Sequence, residues 1–285
     1  MFVICGLIES PISRYTRDIN TSKEIAKMTL LDIVVMFVAA VLAGALNSVA
    51  GGGSFISYPA LVFGGVPLIN ANTTSTVALW PGTVASMGAY RKEIANEREG
   101  IWPLLFASFF GGIIGAHILL HTTENTFAKL LPFLLLLATL LFAFSKRLSA
   151  WVRKTMDGSR LPASTLRGGV VIFQFIIGVY GGFFGGGIGI MMLAAFGLLG
   201  MDNIHRMNGI KTVMASVING VAVLLFVING AIYWPQAVIM IVGAIIGGYA
   251  GATFAQRINP LRVRQFVIVV GCVMTCIFFY RTYLS

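Results

Sequence analysis

The sequence predicts an all-α, polytopic membrane protein built from two repeats of about five helical segments each, and three observations predict it. First, 57% of its 285 residues are hydrophobic and only 11% are charged, with a mean hydropathy of +0.88. A water-soluble fold of this length cannot hide so much apolar surface. Second, the apolar runs are long and uninterrupted, as in helices that satisfy their own backbone groups, whereas a β-barrel shows short alternating segments. Third, motifs recur in order. Gly51-Gly52-Gly53-Ser54 is echoed by Gly185-Gly186-Gly187-Ile188-Gly189, and Asn72-Thr73-Thr74-Ser75-Thr76-Val77 by Asn208-Gly209-Ile210-Lys211-Thr212-Val213. Trp102-Pro103 with Gly111 to Gly115 finds its counterpart in Trp234-Pro235 with Gly243 to Gly247. Repetition of this kind makes the chain two related halves.

Taken in order, residues 1–29 read as a tail. Its apolar patch, Phe2 to Ile8, is too short to span a bilayer and has no basic residue before it, so it is not a signal peptide. Met28 opens directly onto the first span and is the expected physiological start. The first membrane repeat is expected over 30–145, a cytoplasmic linker over 146–166 and the second repeat over 167–285. Within them lie apolar segments at 30–47, 54–66, 72–90, 101–120, 127–145, 167–183, 189–201, 206–228, 234–254 and 265–283. The second and the seventh are short: thirteen residues reach only about 20 Å, against a hydrocarbon core of about 30 Å. The expectation is therefore eight full spans plus two half-length helices broken at the glycines. Such pairs at corresponding places mark transporter sites made of discontinuous helices.

Loop charge sets orientation. With all ten segments crossing and the N-terminus outside, the cytoplasmic connections hold Arg91, Lys92 and Arg98, the cluster from Lys146 to Arg167, Arg206, and Arg257, Arg262 and Arg264, against Lys129 alone outside. Five crossings per repeat make the repeats inverted. If the short segments are re-entrant instead, there are eight crossings and the halves run parallel; the basic tail, with Arg14, Arg17, Lys23 and Lys27, also opposes an external N-terminus. The excess of 20 basic over 10 acidic residues thus reads as membrane orientation and not as nucleic-acid binding.

Every Asp and Glu lies in a tail, in a loop or, like Asp32, at the edge of a span. That argues against a carboxylate-based cation exchanger and against acid–base catalysis in the membrane. The polar groups within the spans are neutral or basic. At Gly51, Gly52, Gly53 and Ser54, and again at Gly185, Gly186 and Gly187, glycines permit a sharp turn into a half helix, whose N-terminus offers unsatisfied N–H groups and a positive dipole end. Two such ends converging would make an anion site; the alternative is that the glycines serve only close packing. Asn47, Ser48, Ser54, Asn72, Thr73, Thr74, Ser75, Asn208, Lys211 and Thr212 cluster near the breaks. Their hydroxyl and amide groups either bind an oxyanion or cap unwound helix ends. Lys211, about five residues inside its span, either snorkels to the cytoplasmic surface or faces the cavity and counters an anion.

Other patterns read as structural. His117 and His121 have metal-ligand spacing but no third ligand nearby, so His117 is expected inside the bundle and His121 at the outer interface. Cys272 and Cys276, one turn apart, read as small apolar filler. Asn72-Thr73-Thr74 matches a glycosylation acceptor but abuts a span. Glycines four apart, such as Gly111 with Gly115 and Gly243 with Gly247, let helix backbones approach closely. No pattern calls for a cofactor or a metal.

The run from Leu42 to Phe55, followed by Tyr58-Pro59-Ala60-Leu61 and Ala71-Asn72-Thr73-Thr74-Ser75, resembles the first-half signature of the TauE/SafE sulfite exporter family, also described as the four-toluene-sulfonate uptake permeases. The second glycine run and the stretch from Gly230 to Trp234 are similar to its second half. The likeness extends over roughly Leu30 to Tyr283, and departs in Gly181-Gly182, which stand where the first half has Asn-Ser. It implies a plasma-membrane permease for sulfite, sulfonates, sulfoacetate or related anions. The function expected from residues and resemblance together is a transporter for small anions, with an anion channel, a membrane enzyme or a non-transporting partner subunit as alternatives. The expected partners are the bilayer and the solute; oligomeric state is not legible.

Overall fold

The computed structural model describes residues 28–49, 52–91, 101–157, 163–198, 201, 203–254 and 260–284, and the tail that precedes them lies outside the described residues. Among these the chain is all-helical: α1 (Leu30–Val49), α2 (Ser54–Phe63), α3 (Leu68–Ala89), α4 (Trp102–Leu120), α5 (Glu124–Asp157), α6 (Ala163–Phe183), α7 (Ile188–Leu198), α8 (Ile204–Ile228), α9 (Trp234–Phe254) and α10 (Pro260–Tyr283). Five of them, α1, α4, α5, α8 and α9, contain stretches long and apolar enough to cross a membrane.

Local chemistry explains several boundaries. α4 carries Pro103 in its first turn and α9 starts Trp234-Pro235; proline is favoured there because its missing N–H has no intrahelical partner to lose. α8 stops where Gly230 takes φ +62°, with Gly230 N–H bonded to the Val227 carbonyl and Ala231 N–H to that of Phe226. This closure ties up the last carbonyls and returns the chain into α9 within a few residues. α5 continues through the expected linker as far as Asp157, since residues 145–157 contain no glycine or proline to stop it.

Packing pairs helices from the two halves. α1 lies along α9 and α4 along α6, while α3 also packs on α9 and α8 on α4. α5 meets α10, and α3 meets α8. Exchanging each helix for its repeat counterpart reproduces the same set of neighbours. The glycines give the directions of the pairs. A Cβ on Gly243 would meet Phe37 and Ala40, and one on Gly251 would meet Ala45 and Ser48, so α1 and α9 run parallel. In the same way Gly111 faces Phe175 and Gly178, and Gly115 faces Val179 and Phe183, so α4 and α6 are parallel too. Backbones this close leave no room for larger side chains, which is how apolar helices associate where water supplies no driving force.

The interior holds one large apolar cluster around Phe55, Tyr58, Phe127, Leu131 and Phe226 and a second around Ile177, Met192, Phe196, Met214 and Ile218. Large apolar side chains also cover the outside: Leu31, Val34, Val38 and Leu42 on α1, and Trp102, Phe106, Phe110, Ile114 and Ile118 on α4, are exposed. An apolar exterior of this extent fits lipid as its solvent. His117 is exposed on α4, which corrects the expectation of a place inside the bundle. Its backbone faces out because the small residues Gly111, Gly112, Gly115 and Ala116 occupy the buried side. Its ring stacks on His121 with centroids 4.1 Å apart, and among the described residues no three of His, Cys, Asp and Glu gather as metal ligands.

Candidate functional site

Two helix starts and the polar faces of three helices meet at one cavity of about 40 Å³. At roughly 10–15 Å³ per water it has room for about three or four. Ser54 of α2 and Gly185, Ile188 and Gly189 at the second break line it, with Asn47 of α1. α3 contributes Thr76, Leu79, Thr83 and Ser86, and α8 contributes Lys211, Thr212, Ala215 and Asn219.

The two glycine breaks reach this point by different physical routes. In the second, Gly185 and Gly187 take φ +79° and +81°, a conformation that costs an L side chain roughly 1–2 kcal/mol. In the first, Gly53 has an ordinary right-handed conformation, with φ −56°. There the constraint is space: an added Cβ would collide with the Ala43 carbonyl and approach Asn47 Cβ to 3.3 Å. No side chain caps α2. The N–H groups of Ser54, Ile188 and Gly189 belong to first turns, which lack intrahelical acceptors, and all three residues face the cavity.

Lys211 is 3% exposed. Its Nζ donates to Asn208 Oδ1 at 3.0 Å, a neutral partner one turn away. The acidic side chains of described placement are engaged elsewhere: Asp32 accepts from Thr29 at 2.7 Å, and Glu124 accepts the Ile69 N–H at 3.2 Å. A cation this deeply buried, with no carboxylate beside it among the described residues, is costly unless something negative joins it. Around it the polar part of the lining is neutral, interspersed with Leu79, Ile188 and Ala215. Asn47 Nδ2 donates to Thr83 Oγ1 at 3.1 Å, and Thr212 Oγ1 donates to the Asn208 carbonyl at 2.8 Å.

The sequence-named residues divide between lining and framework. Asn47, Ser54, Gly185, Lys211 and Thr212 line the cavity. Asn72 Nδ2 instead donates to the carbonyl of Phe183 at 2.9 Å, capping the end of α6. Thr73 donates to the carbonyl of Ala231, and Thr74 accepts the Tyr233 N–H at 3.0 Å. Ser75 pairs with Ser57 at 2.6 Å, and Ser48 bonds back to the Ala45 carbonyl at 2.8 Å. This run thus ties α3 to α2, to the end of α6 and to the chain entering α9; Asn72, Thr73 and Thr74 are also buried, out of reach of glycosylation. Gly52, Gly53, Gly186 and Gly187 shape the breaks, and Asn208 positions Lys211. Gly51 lies outside the described residues. Thr83, Ser86 and Asn219 were not legible as site residues: each is an isolated polar residue in an apolar helix, and the readable signal was only that Thr83 and Asn219 hold corresponding places in the two repeats.

A helical bundle with an apolar exterior and a cavity of mixed polar and apolar lining at two broken helices defines a multi-pass membrane protein of the solute-transporting class. The chain belongs to the sulfite exporter TauE/SafE family, which it matches over residues 36–278. It is 33% identical over 245 residues, 85% of this chain and 92% of the relative, to a probable membrane transporter protein of Haemophilus influenzae. It is 26% identical over 251 residues to the probable membrane transporter protein YfcA of Escherichia coli, covering 87% of this chain and 90% of the relative. A Bacillus subtilis probable membrane transporter protein, YunE, is 22% identical over 267 residues, 85% of this chain and 97% of its own. No solved structure matches. The family is one of membrane transporters and not of enzymes.

Proposed function

We propose that the chain carries a small anion, a sulfur oxyanion or an organic sulfonate such as sulfite in its singly charged form or an alkanesulfonate, across the plasma membrane, holding it between the two glycine breaks. The observation that carries this reading is Lys211, buried on the cavity wall with only a neutral partner among the described residues. The N-terminal dipole ends of α2 and α7 add partial positive charge on the same cavity. Neutral hydroxyl and amide groups complete a lining suited to oxyanions.

The ten-segment arrangement with inverted repeats belongs to the same reading. α3 runs parallel to α9, since Thr74 meets Tyr233 and Gly82 meets Ala244, and α9 runs parallel to α1. A re-entrant α2 would reverse α3 relative to α1, so the shared direction of α1 and α3 supports α2 as a short crossing between them. α4, α6 and α8 share a direction by the same kind of contact, with Ser108 at Met214 and Gly112 at Ile218. The tight turn from α8 into α9 sets that group against the first, so α1 and its counterpart α6 point opposite ways. The repeats then span 30–145 and 167–285, with the basic connection between them in the cytoplasm.

With the interior negative, expelling one negative charge gains about 2.3 kcal/mol per 100 mV, so export needs no coupling ion. The test is anion flux in proteoliposomes under an imposed potential. Sulfite or sulfonate flux should follow the voltage and fall at least tenfold in Lys211→Met. Flux indifferent to the anion, the voltage and Lys211 would sink the proposal.

A further inference from the structure

The cavity is lined by matched residues of the two repeats, and the single charge among its described lining residues breaks the match. Thr76 and Thr212, Leu79 and Ala215, and Thr83 and Asn219 hold corresponding positions on α3 and α8, and all six line the cavity. Lys211 corresponds to Ser75, whose hydroxyl is bound to Ser57 at 2.6 Å. One repeat therefore supplies a full positive charge and the other supplies none.

We propose that this site selects monovalent anions against divalent ones, an inference that rests on the anion reading given above. A monoanion beside the Lys211 ammonium forms a neutral pair. A dianion leaves one charge uncompensated in a buried setting, where an unpaired charge is costly. The helix starts do not make up the difference. Each adds only a partial positive charge, which favours either anion and leaves the second full charge of a dianion unpaired.

Methanesulfonate and sulfate form a matched pair of probes, both tetrahedral at sulfur and of similar size but differing by one charge. Their affinities for the purified full chain in chloride-free detergent solution are measured by titration calorimetry, with thermal shift as a second readout. Methanesulfonate should bind at least tenfold more tightly than sulfate. Ser75→Lys places a second ammonium at the corresponding position of the other repeat and should move the ratio at least tenfold towards sulfate. Equal or tighter sulfate binding by the unaltered chain overturns the monovalent assignment and leaves the anion reading standing. Binding of neither probe overturns both. A folded Ser75→Lys with an unchanged ratio overturns charge counting as the cause; should that variant fail to fold, the unaltered chain's ratio decides alone.

Discussion

Trp80 and Ser216 hold corresponding positions in the two halves, and the indole N–H of Trp80 donates to the main-chain carbonyl of Ser216 across 3.0 Å. This bond pins α3 to α8, whose polar faces make most of the cavity wall. Gly220, one turn beyond Ser216, leaves room for the ring: a Cβ there would sit 3.2 Å from it. Trp80→Phe should therefore cost about 1 kcal/mol for the lost bond, and Gly220→Leu about 1–3 kcal/mol for overpacking. Thermal unfolding in detergent measures both, and an unchanged Gly220→Leu would show that the contact is slack.

Lys211→Met separates function from stability. Replacing a buried charge that has no counter-charge by an apolar side chain of similar length removes its desolvation cost, so this variant should unfold no earlier than the parent. Its anion flux should nonetheless fall at least tenfold. A variant that lost stability and flux together would point to a framework role for the lysine.

Asn72 and Thr76 are one helical turn apart yet should respond differently. Asn72→Leu leaves the Phe183 carbonyl at the end of α6 without its amide partner, at a cost of about 1–3 kcal/mol. Thr76 faces the cavity, and its hydroxyl bonds only within its own helix, to the Asn72 carbonyl at 2.9 Å. Thr76→Val should leave the unfolding temperature nearly unchanged and alter the apparent KM for the anion. The opposite ordering would exchange their assigned roles.

The two glycine breaks should be intolerant for different reasons. Gly187→Ala meets only ordinary contact at Ala138, 3.4 Å away, so its cost is the positive φ, about 1–2 kcal/mol. Gly53→Ala keeps a comfortable φ but drives a methyl group into the Ala43 carbonyl, so α2 must move off α1. The second should be the more damaging to both folding and flux, as read from the monodisperse yield and the proteoliposome assay.

His117 and His121 stack on the surface of α4, where His121 Nδ1 lies 2.9 Å from the His117 carbonyl oxygen. The double variant His117→Ala/His121→Ala should transport normally, and a chelator should change neither parent nor variant. A chelator-sensitive flux lost in the double variant would establish a metal role for the pair.

By itself the residue order determined the membrane class, the all-helical content, the repeated motifs and the two interrupted helices. These rest on hydropathy, run length and glycine placement, which are local properties of a chain. Only the tertiary structure decided which polar residues share the cavity. The dense run Asn72 to Ser75, expected near the site, is taken up by hydrogen bonds that hold helices together, while the scattered Thr83, Ser86 and Asn219 face the opening. The physical reason is rotation: in helices apolar almost all round, the side turned inward is set by the small residues against which neighbouring backbones close. Lys211 shows the same division. Its charge within a span was plain from the chain, but the packing of α8 against α3, α4 and α7 turned it inward, towards the cavity.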